Sequence, residues 1–427
     1  MTRVPRSAPP RDVASGSPPA CQPSSARLLF SSAHWPARLL FAATIILFVV
    51  RAVFEAQSQC DLGGFLQIGG QVLDHRLFED TFLNSYPPVF AVAMAPLTAL
   101  SRVTGFLPLR HAWGIAQLCV LAYVTLTFGR LLGLRLTLGS VALAWLCTWR
   151  YVVGDLNNLN VSLFLWGLTA AALAASARGR HGFAGALLGL GAALKIMPAL
   201  AGVPLVAPGA RGRLPFATGA VAAAAGALVV TVLAMGPHLA GEAWRFWLFR
   251  IVPSFGGGWL GNQSWKGLFL RLWPPQPAMP WIAGRFAVAL GLGILAAVVT
   301  WVWRRPAIGV RGQTLDALLV LLAGLPALPI TWFHYFTAEI PLLMALFCEW
   351  GSLPRRTRIG AGTLIAVGTV LGTMFDVDIV GRKTWQVAAR YGNVLWASLA
   401  ILGAGFLLRA AWQAEKTNTA AMRLEES

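Results

Sequence analysis

Three ionisable residues stand in or beside apolar stretches of this chain, where a charge is costly to keep: Asp61 in CDLGGFLQIGG, Lys195 in GALLGLGAALKIMPAL and His334 in PITWFHYFTAEIP. A lysine inside an apolar run needs a partner or a route by which its ammonium reaches water, and binding an anion satisfies it. Asp61 precedes Gly63 and Gly64, whose missing side chains allow a substrate to approach the backbone; the alternative duty of the acid is to cap a helix. His334 suits a proton relay or a phosphate contact, against membership of an interfacial aromatic belt.

Neutral polar groups accompany them. The stretch GDLNNLNVSLFLW, residues 154–166, places Asn157, Asn158 and Asn160 ahead of an apolar run. One Asn suffices to cap a helix; three favour a cavity whose amides hold hydroxyls without adding charge. Tyr86 lies in SYPPVF, and Asn262, Gln263 and Arg271 lie in GGGWLGNQSWKGLFLRL, where the two amides have turn formation as their alternative.

The elements that must position these groups are membrane helices. Hydrophobic residues make up 57% of the 427 and charged ones only 12%, with mean hydropathy +0.65, which excludes an ordinary soluble domain. The apolar blocks approach the ~20 residues that cross a bilayer as a helix, not the ~10-residue alternating segments of a barrel. The reading is therefore an all-α polytopic membrane protein. Its net charge of +18, from 34 Lys and Arg against 16 Asp and Glu, is spread in short clusters between apolar blocks: Arg178 and Arg180, Arg211 and Arg213, Arg304 and Arg305, and Arg355, Arg356 and Arg358. Such clusters mark cytoplasmic loops, and no basic face with interleaved aromatics points to nucleic acid. The five cysteines have no paired spacing, so neither a disulfide framework nor a zinc site is implied. The richness in Ala and Arg suggests a GC-rich bacterial genome.

Placing the basic clusters inside gives single spans at 37–56, 110–130, 136–153, 160–176, 214–235, 281–303, 314–332, 336–350, 359–375 and 391–411. Two short helices flank Lys195 with their vertex near the outer side, for about twelve crossings. The first span leads outward to a polar loop beginning QSQCDLGGFLQIGG, and the third delivers residues 154–160 to the outer surface. Residues 87–103, with Pro96 in the middle, read as an outer juxtamembrane or re-entrant helix, and 236–279 as a large outer loop. Residues 1–35 read as a disordered cytoplasmic tail, 36–412 as the membrane domain and 413–427 as a cytoplasmic C-terminal tail. On this path Asp61, Tyr86, Asn157, Asn158, Asn160, Lys195, Asn262, Gln263, Arg271 and His334 all come to one leaflet, the outer one.

The ordered motifs, an acid after the first span (Asp61), SYPPVF, the Asn-bearing stretch, GALLGLGAALKIMP, GNQSWKGLFLR and TWFHYF, resemble those of glycosyltransferase family 87. The resemblance runs from about residue 55 to 345 and rests on the order of the motifs rather than on any one of them. This group of polytopic GT-C enzymes uses polyprenyl-phosphate sugars and includes mycobacterial mannosyltransferases of phosphatidylinositol mannosides. The resemblance implies a GT-C-type bundle of about twelve transmembrane helices in the cytoplasmic membrane. Its catalytic domain would occupy residues 36–412, with the active site on the outer, periplasmic side. It further implies Asp61 as catalytic base, Lys195 and Arg271 facing the donor phosphate, and His334 supporting the reacting groups. Tyr86, Asn158, Asn160, Asn262 and Gln263 would contact substrate. The family pattern Gly-Gln-x-Asn is met here by Asn157-Asn158-Leu159-Asn160, which keeps the final Asn and replaces the Gly-Gln pair.

The chemistry agrees. Moving a sugar from a lipid phosphate to a hydroxyl needs a base for the acceptor proton and cations for the departing phosphate. One carboxylate suffices for a single inverting displacement, and no paired carboxylate suggests a retaining mechanism. The expected donor is a lipid-linked sugar carrying mannose, with arabinose or another hexose as alternatives, and the expected acceptor is a glycolipid or glycan. No cofactor is called for; a divalent metal is compatible, although Asp61, Glu79, Asp80 and Asp155 show no spaced ligand motif. The alternative class is a transporter or lipid flippase, which would show inverted repeats and polar sites near the midplane.

Overall fold

In a computed structural model the described residues are 35–53, 60–76, 86–252, 256–273 and 280–425, and among them every regular element is a helix. The expected N-terminal tail lies outside them, as do Glu79 and Asp80. The first half of the chain runs α1 (Trp35–Val53), α2 (Asp61–Leu73), α3 (Pro88–Thr104), α4 (Phe106–Leu131), α5 (Leu138–Cys147), α6 (Trp149–Asn158), α7 (Ser162–Ala177), α8 (His181–Leu194) and α9 (Ala199–Gly202). The second runs α10 (Arg213–Met235), α11 (Pro237–Phe246), α12 (Trp265–Leu272), α13 (Pro280–Arg304), α14 (Gly309–Gly324), α15 (Ile340–Cys348), α16 (Arg355–Thr369), α17 (Val377–Arg390) and α18 (Asn393–Glu425).

Large apolar side chains cover the outside of this bundle. Val103 is 86% exposed and Leu233 79%, an arrangement that only hydrocarbon surroundings make favourable. α14 is the central helix, buried along most of its length, whereas α10 lies at the rim. α8 docks on α10 through small residues: a Cβ at Gly185 or Gly219 would collide with the backbone of the facing helix at Phe216 or Gly182. This close approach substitutes van der Waals packing for the hydrophobic driving force that lipid does not provide.

Seven helices are long and apolar enough to cross a membrane, or eight if the bent pair α6–α7 counts as one span. The chain is a multi-pass membrane protein. The about twelve crossings expected from sequence also counted shorter pieces. The segment 136–153 breaks at Thr148 into α5 and α6, α7 is 16 residues long, and 336–350 opens as a 3-10 turn, Phe333–Glu339, before α15. The stretch after Asp61, expected as a polar loop, is instead helix α2; its glycines lower helix propensity but let it pack tightly. The juxtamembrane helix is present as α3 with Pro96 inside it, and the loop 236–279 contains α11 and α12. The C-terminal segment prolongs α18 to Glu425.

Candidate active site

Asp61 is positioned by the α2–α3 hairpin. A side chain on Gly69 would strike Thr98 and the backbone of Met94, so the bare glycine lets the helices touch, and Thr98 Oγ1 donates to Leu66 O at 2.9 Å across the contact. Cys60 is the N-cap and Asp61 the first helical residue; the carboxylate does not cap its own helix. Its Oδ2 instead accepts from Asn160 Nδ2 at 2.5 Å, ninety-nine positions along the chain. α2 is not among the candidate spans. Burial raises the carboxyl above its usual range, and the Asn160 hydrogen bond and the Lys195 charge work against that rise.

Asn160 is delivered by a sharp break. α6 and α7 meet at 114°, and Leu159 turns the chain in the left-handed region with φ 50°, a conformation an L-residue holds only where its surroundings impose it. Gln117 of α4 supplies much of that imposition, its Nε2 donating to Asn160 O at 2.8 Å and to Asp155 O at 3.2 Å. Asp155 Oδ2 accepts the Leu163 N–H at 3.0 Å, tying the two arms together. Asn160 Oδ1 accepts from Ser162 N at 3.1 Å and Ser162 Oγ at 2.9 Å, which fixes the amide so that Nδ2 faces Asp61. The one Asn160 side chain thus holds both the first N–H of α7 and the Asp61 carboxylate.

The stretch 154–160 was expected at the surface but is mostly interior, Asp155 being fully buried and Asn160 2% exposed. The hairpin folds back against other helices instead of ending in a loop, and Gly154 is bare because Phe333 packs directly on it. Asn158 bonds back to Gly154 O at 2.7 Å within its own helix. Asn157 Oδ1 is buried without a partner.

Lys195 sits where α8 stops, in extended backbone with φ −164°. Pro198 follows and the chain restarts only as the short α9, so the run does break at the lysine as expected. Its Nζ donates to the Tyr86 hydroxyl at 3.0 Å and lies 4.7 Å from the Tyr86 ring centroid and 4.1 Å from that of Tyr335. Two aromatic faces hold the ammonium without neutralising it. Tyr86 is set by stacking on Phe90 at 4.2 Å and by the edge of Phe65 at 5.3 Å. His334, 2% exposed, packs against Tyr335 at 5.1 Å and parallel to Trp332 at 6.0 Å, and neither ring nitrogen has a hydrogen-bond partner. Aspartate, asparagine, lysine, two tyrosines and the imidazole therefore come together from five separate parts of the chain.

Asn262, Gln263 and Arg271 form an adjoining network. Asn262 Nδ2 donates to Gly257 O and Pro329 O at 3.2 and 3.1 Å, and its Oδ1 accepts Thr331 N at 3.1 Å. Gln263 N donates to Thr331 O at 2.7 Å and its side chain to Leu260 O at 2.7 Å. Arg271 donates to Asn262 O at 2.5 Å, Trp259 O at 3.1 Å and Arg390 O at 3.0 Å, leaving Nη2 as its unpartnered nitrogen; burial lowers its guanidinium to about 10. These residues clamp the segment 329–332 that leads into His334, and Trp259 packs on Trp332 with centroids 4.3 Å apart.

Sequence reasoning left out Gln117, Tyr335 and the bracing role of Asp155. Gln117 had a signal, being a lone amide in the apolar run of α4; Tyr335 had none beyond its neighbour His334. Among the described residues no group of three His, Cys, Asp or Glu side chains is placed to hold a metal ion.

The family model described as glycosyltransferase family 87 matches residues 82–325. The polyprenol-phosphate-mannose-dependent alpha-(1-2)-phosphatidylinositol pentamannoside mannosyltransferase of Mycolicibacterium smegmatis is 30% identical over 325 residues, 74% of this chain and 73% of that protein. The enzyme of the same name from Mycobacterium tuberculosis is 29% identical over 333 residues, 74% and 69% of the two chains. Among solved structures, ArnT from Cupriavidus metallidurans bound to undecaprenyl phosphate aligns over 90% of this chain and 79% of its own, at 16% identity and a TM-score of 0.38. With the match spanning most of the protein, the transporter alternative gives way: the chain is a membrane glycosyltransferase belonging to glycosyltransferase family 87.

Proposed function

We propose that this enzyme moves mannose from a polyprenyl-phosphate donor to a hydroxyl of a lipid or glycan, with inversion, at the outer face of the cytoplasmic membrane. The observation that carries the reading is the Asp61 carboxylate, held by Asn160 on an interior hairpin and lying in the field of Lys195. The names of the two mycobacterial relatives, mannosyltransferases dependent on polyprenol-phosphate-mannose, support the donor.

In this mechanism Asp61 accepts the proton of the acceptor hydroxyl as its oxygen bonds to the anomeric carbon, and the bond from that carbon to the phosphate oxygen breaks. Lys195 meets the negative charge that collects on the departing phosphate; held by tyrosine faces and one hydroxyl, it has a donor to give. His334, with both nitrogens unpaired, supports the reacting groups from beside Tyr335. Tyr86 and Asn160 orient the lysine and the base, and Asn158 belongs to the same hairpin. Asn262 and Gln263 shape the adjoining wall, and Arg271 holds it in place, its buried and unpartnered Nη2 being the nitrogen assigned to the donor phosphate. No cofactor enters this scheme, so turnover should survive removal of divalent ions by a chelator.

The test uses purified protein in lipid, labelled polyprenyl-phosphate mannose and a phosphatidylinositol mannoside acceptor, beside Asp61→Asn. Label entering a new glycolipid with wild type and not with the variant is the expected result. Transfer by both proteins would remove Asp61 from the role of base, and transfer only from a different sugar donor would correct the substrate.

A further inference from the structure

The imidazole of His334 takes no hydrogen bond on either nitrogen, so no polar contact at the ring decides where it points. Its place must come from its backbone. That backbone belongs to the 3-10 turn Phe333–Glu339, seven residues long, whereas such turns rarely run past about four because their hydrogen bonds are poorly aligned. A turn of this length needs holding from outside.

Both arms of the α6–α7 hairpin hold it. On the α6 side the Phe333 ring rests on bare Gly154, with the Arg150 guanidinium over its face at 5.5 Å. On the α7 side Trp166 Nε1 donates to Thr337 Oγ1 at 2.7 Å, across 171 positions of sequence, and Thr337 Oγ1 donates in turn to His334 O at 3.0 Å. Threonine hydroxyls often bond a carbonyl three or four residues back, and alone that bond would be local. The Trp166 donor makes it a tether to another element. Trp166 and Thr337 are 3% and 2% exposed, so the hydroxyl meets the buried indole's need for an acceptor while its single proton serves the His334 carbonyl. Asn160, which holds the Asp61 carboxylate, lies six residues ahead of Trp166 on the same hairpin.

We propose that Thr337 and Trp166 are positioning residues for the transfer reaction: the Thr337 hydroxyl passes the hold of α7 to the His334 carbonyl, so that one hairpin sets His334 relative to Asp61. The inference rests on the role proposed for His334 and adds the device that places it. A positioning role and a packing role predict opposite orders for two substitutions. Thr337→Val keeps the shape and deletes both hydrogen bonds, whereas Thr337→Ser keeps both and deletes a buried methyl group. Positioning makes valine the slow variant; packing makes serine the worse one.

The experiment compares full-length wild type, Thr337→Val, Thr337→Ser and Trp166→Phe in lipid, in the transfer assay and below their melting transitions, with Thr337→Val repeated in a His334→Ala background. Thr337→Val and Trp166→Phe should lower kcat about tenfold to a hundredfold, the cost of a small misplacement, and leave donor and acceptor KM near wild type. Thr337→Ser should recover most of that rate. In the His334→Ala background Thr337→Val should add no further loss, because both changes act through one group. A normal kcat for Thr337→Val, a Thr337→Ser slower than Thr337→Val, or a full additional loss on top of His334→Ala would overturn the positioning of His334. Trp166→Phe at wild-type rate beside a slow Thr337→Val would overturn the tether to α7. His334→Ala at wild-type rate would instead remove the role of His334 on which the proposal stands.

Discussion

Two buried acid–base groupings in this protein are built on opposite terms. Between α14 and α18, Asp316 takes Arg409 Nε on Oδ1 at 2.5 Å, Arg409 Nη2 on Oδ2 at 3.3 Å and the Ala307 N–H on Oδ2 at 3.1 Å, with Trp301 stacked 4.1 Å from the guanidinium. There the carboxylate is saturated by its own chain. At the other grouping Asp61 receives a single amide, Lys195 receives a hydroxyl and two aromatic faces, and His334 receives nothing on either nitrogen. A polar group left half-satisfied in the interior costs free energy unless a ligand completes it, so the difference separates a fastening from the site proposed above.

The sharpest way to break this contrast is to exchange the two acids' roles by mutation. Asp61→Asn keeps the shape and removes the base; a rate loss of about 10²–10⁴ is expected in the transfer assay, with an unchanged melting temperature. A comparable effect of opposite kind is expected at the fastening. Arg409→Met leaves Asp316 buried and uncompensated, and should lower stability by about 3–5 kcal/mol while the molecules that remain folded turn over normally. Adding Asp316→Leu to Arg409→Met should recover most of that loss, because an apolar pair replaces the ionic one; thermal unfolding in detergent reads both.

Lys195→Met comes next in size. Removing one charge-assisted contact to the departing phosphate is worth about 1.5–3 kcal/mol, a drop of roughly tenfold to a hundredfold in kcat/KM. Stability should hold or rise, since the ammonium now rests on ring faces instead of a carboxylate. A collapse in stability comparable to that of Arg409→Met would assign Lys195 to the fold and erase the distinction.

Much of this was legible from residue types. Lys195 betrayed itself because an apolar run has no cheap use for a charge, and Asp61 because it followed a span and preceded glycines. The break beside Lys195 was legible from Pro198. What sequence concealed was depth. Asn160 and Asp155 read as surface because polar residues between apolar runs ordinarily form loops, yet Gln117, forty-three positions before Asn160, draws that turn inside. Helix α2 was read as loop because Gly63, Gly64, Gly69 and Gly70 disfavour a helix on their own, while the packing that overrides them comes from Met94 and Thr98 on another element. Arg271 read as a phosphate ligand, and nothing in its local sequence announced the carbonyls of Trp259, Asn262 and Arg390 that occupy it.

The smallest effect tests how the open grouping is tuned. The Asn160 amide donates to the ionised form of Asp61 and therefore lowers its pKa, opposing the rise caused by burial. A base is active when deprotonated, so kcat/KM should fall on the acid side as Asp61 takes up a proton, with a midpoint above the ordinary aspartate range. Asn160→Ala deletes the opposing contribution, so the midpoint should move to higher pH, and at neutral pH the rate should drop by about threefold to tenfold, the value of one hydrogen bond. Asn160→Ala should leave the stability contrast intact, because Ser162 and Gln117 retain other partners at the hairpin. An acid limb that stays in place would mean that the amide orients Asp61 without tuning it, and one that moves to lower pH would mean that Asp61 is not the group being titrated.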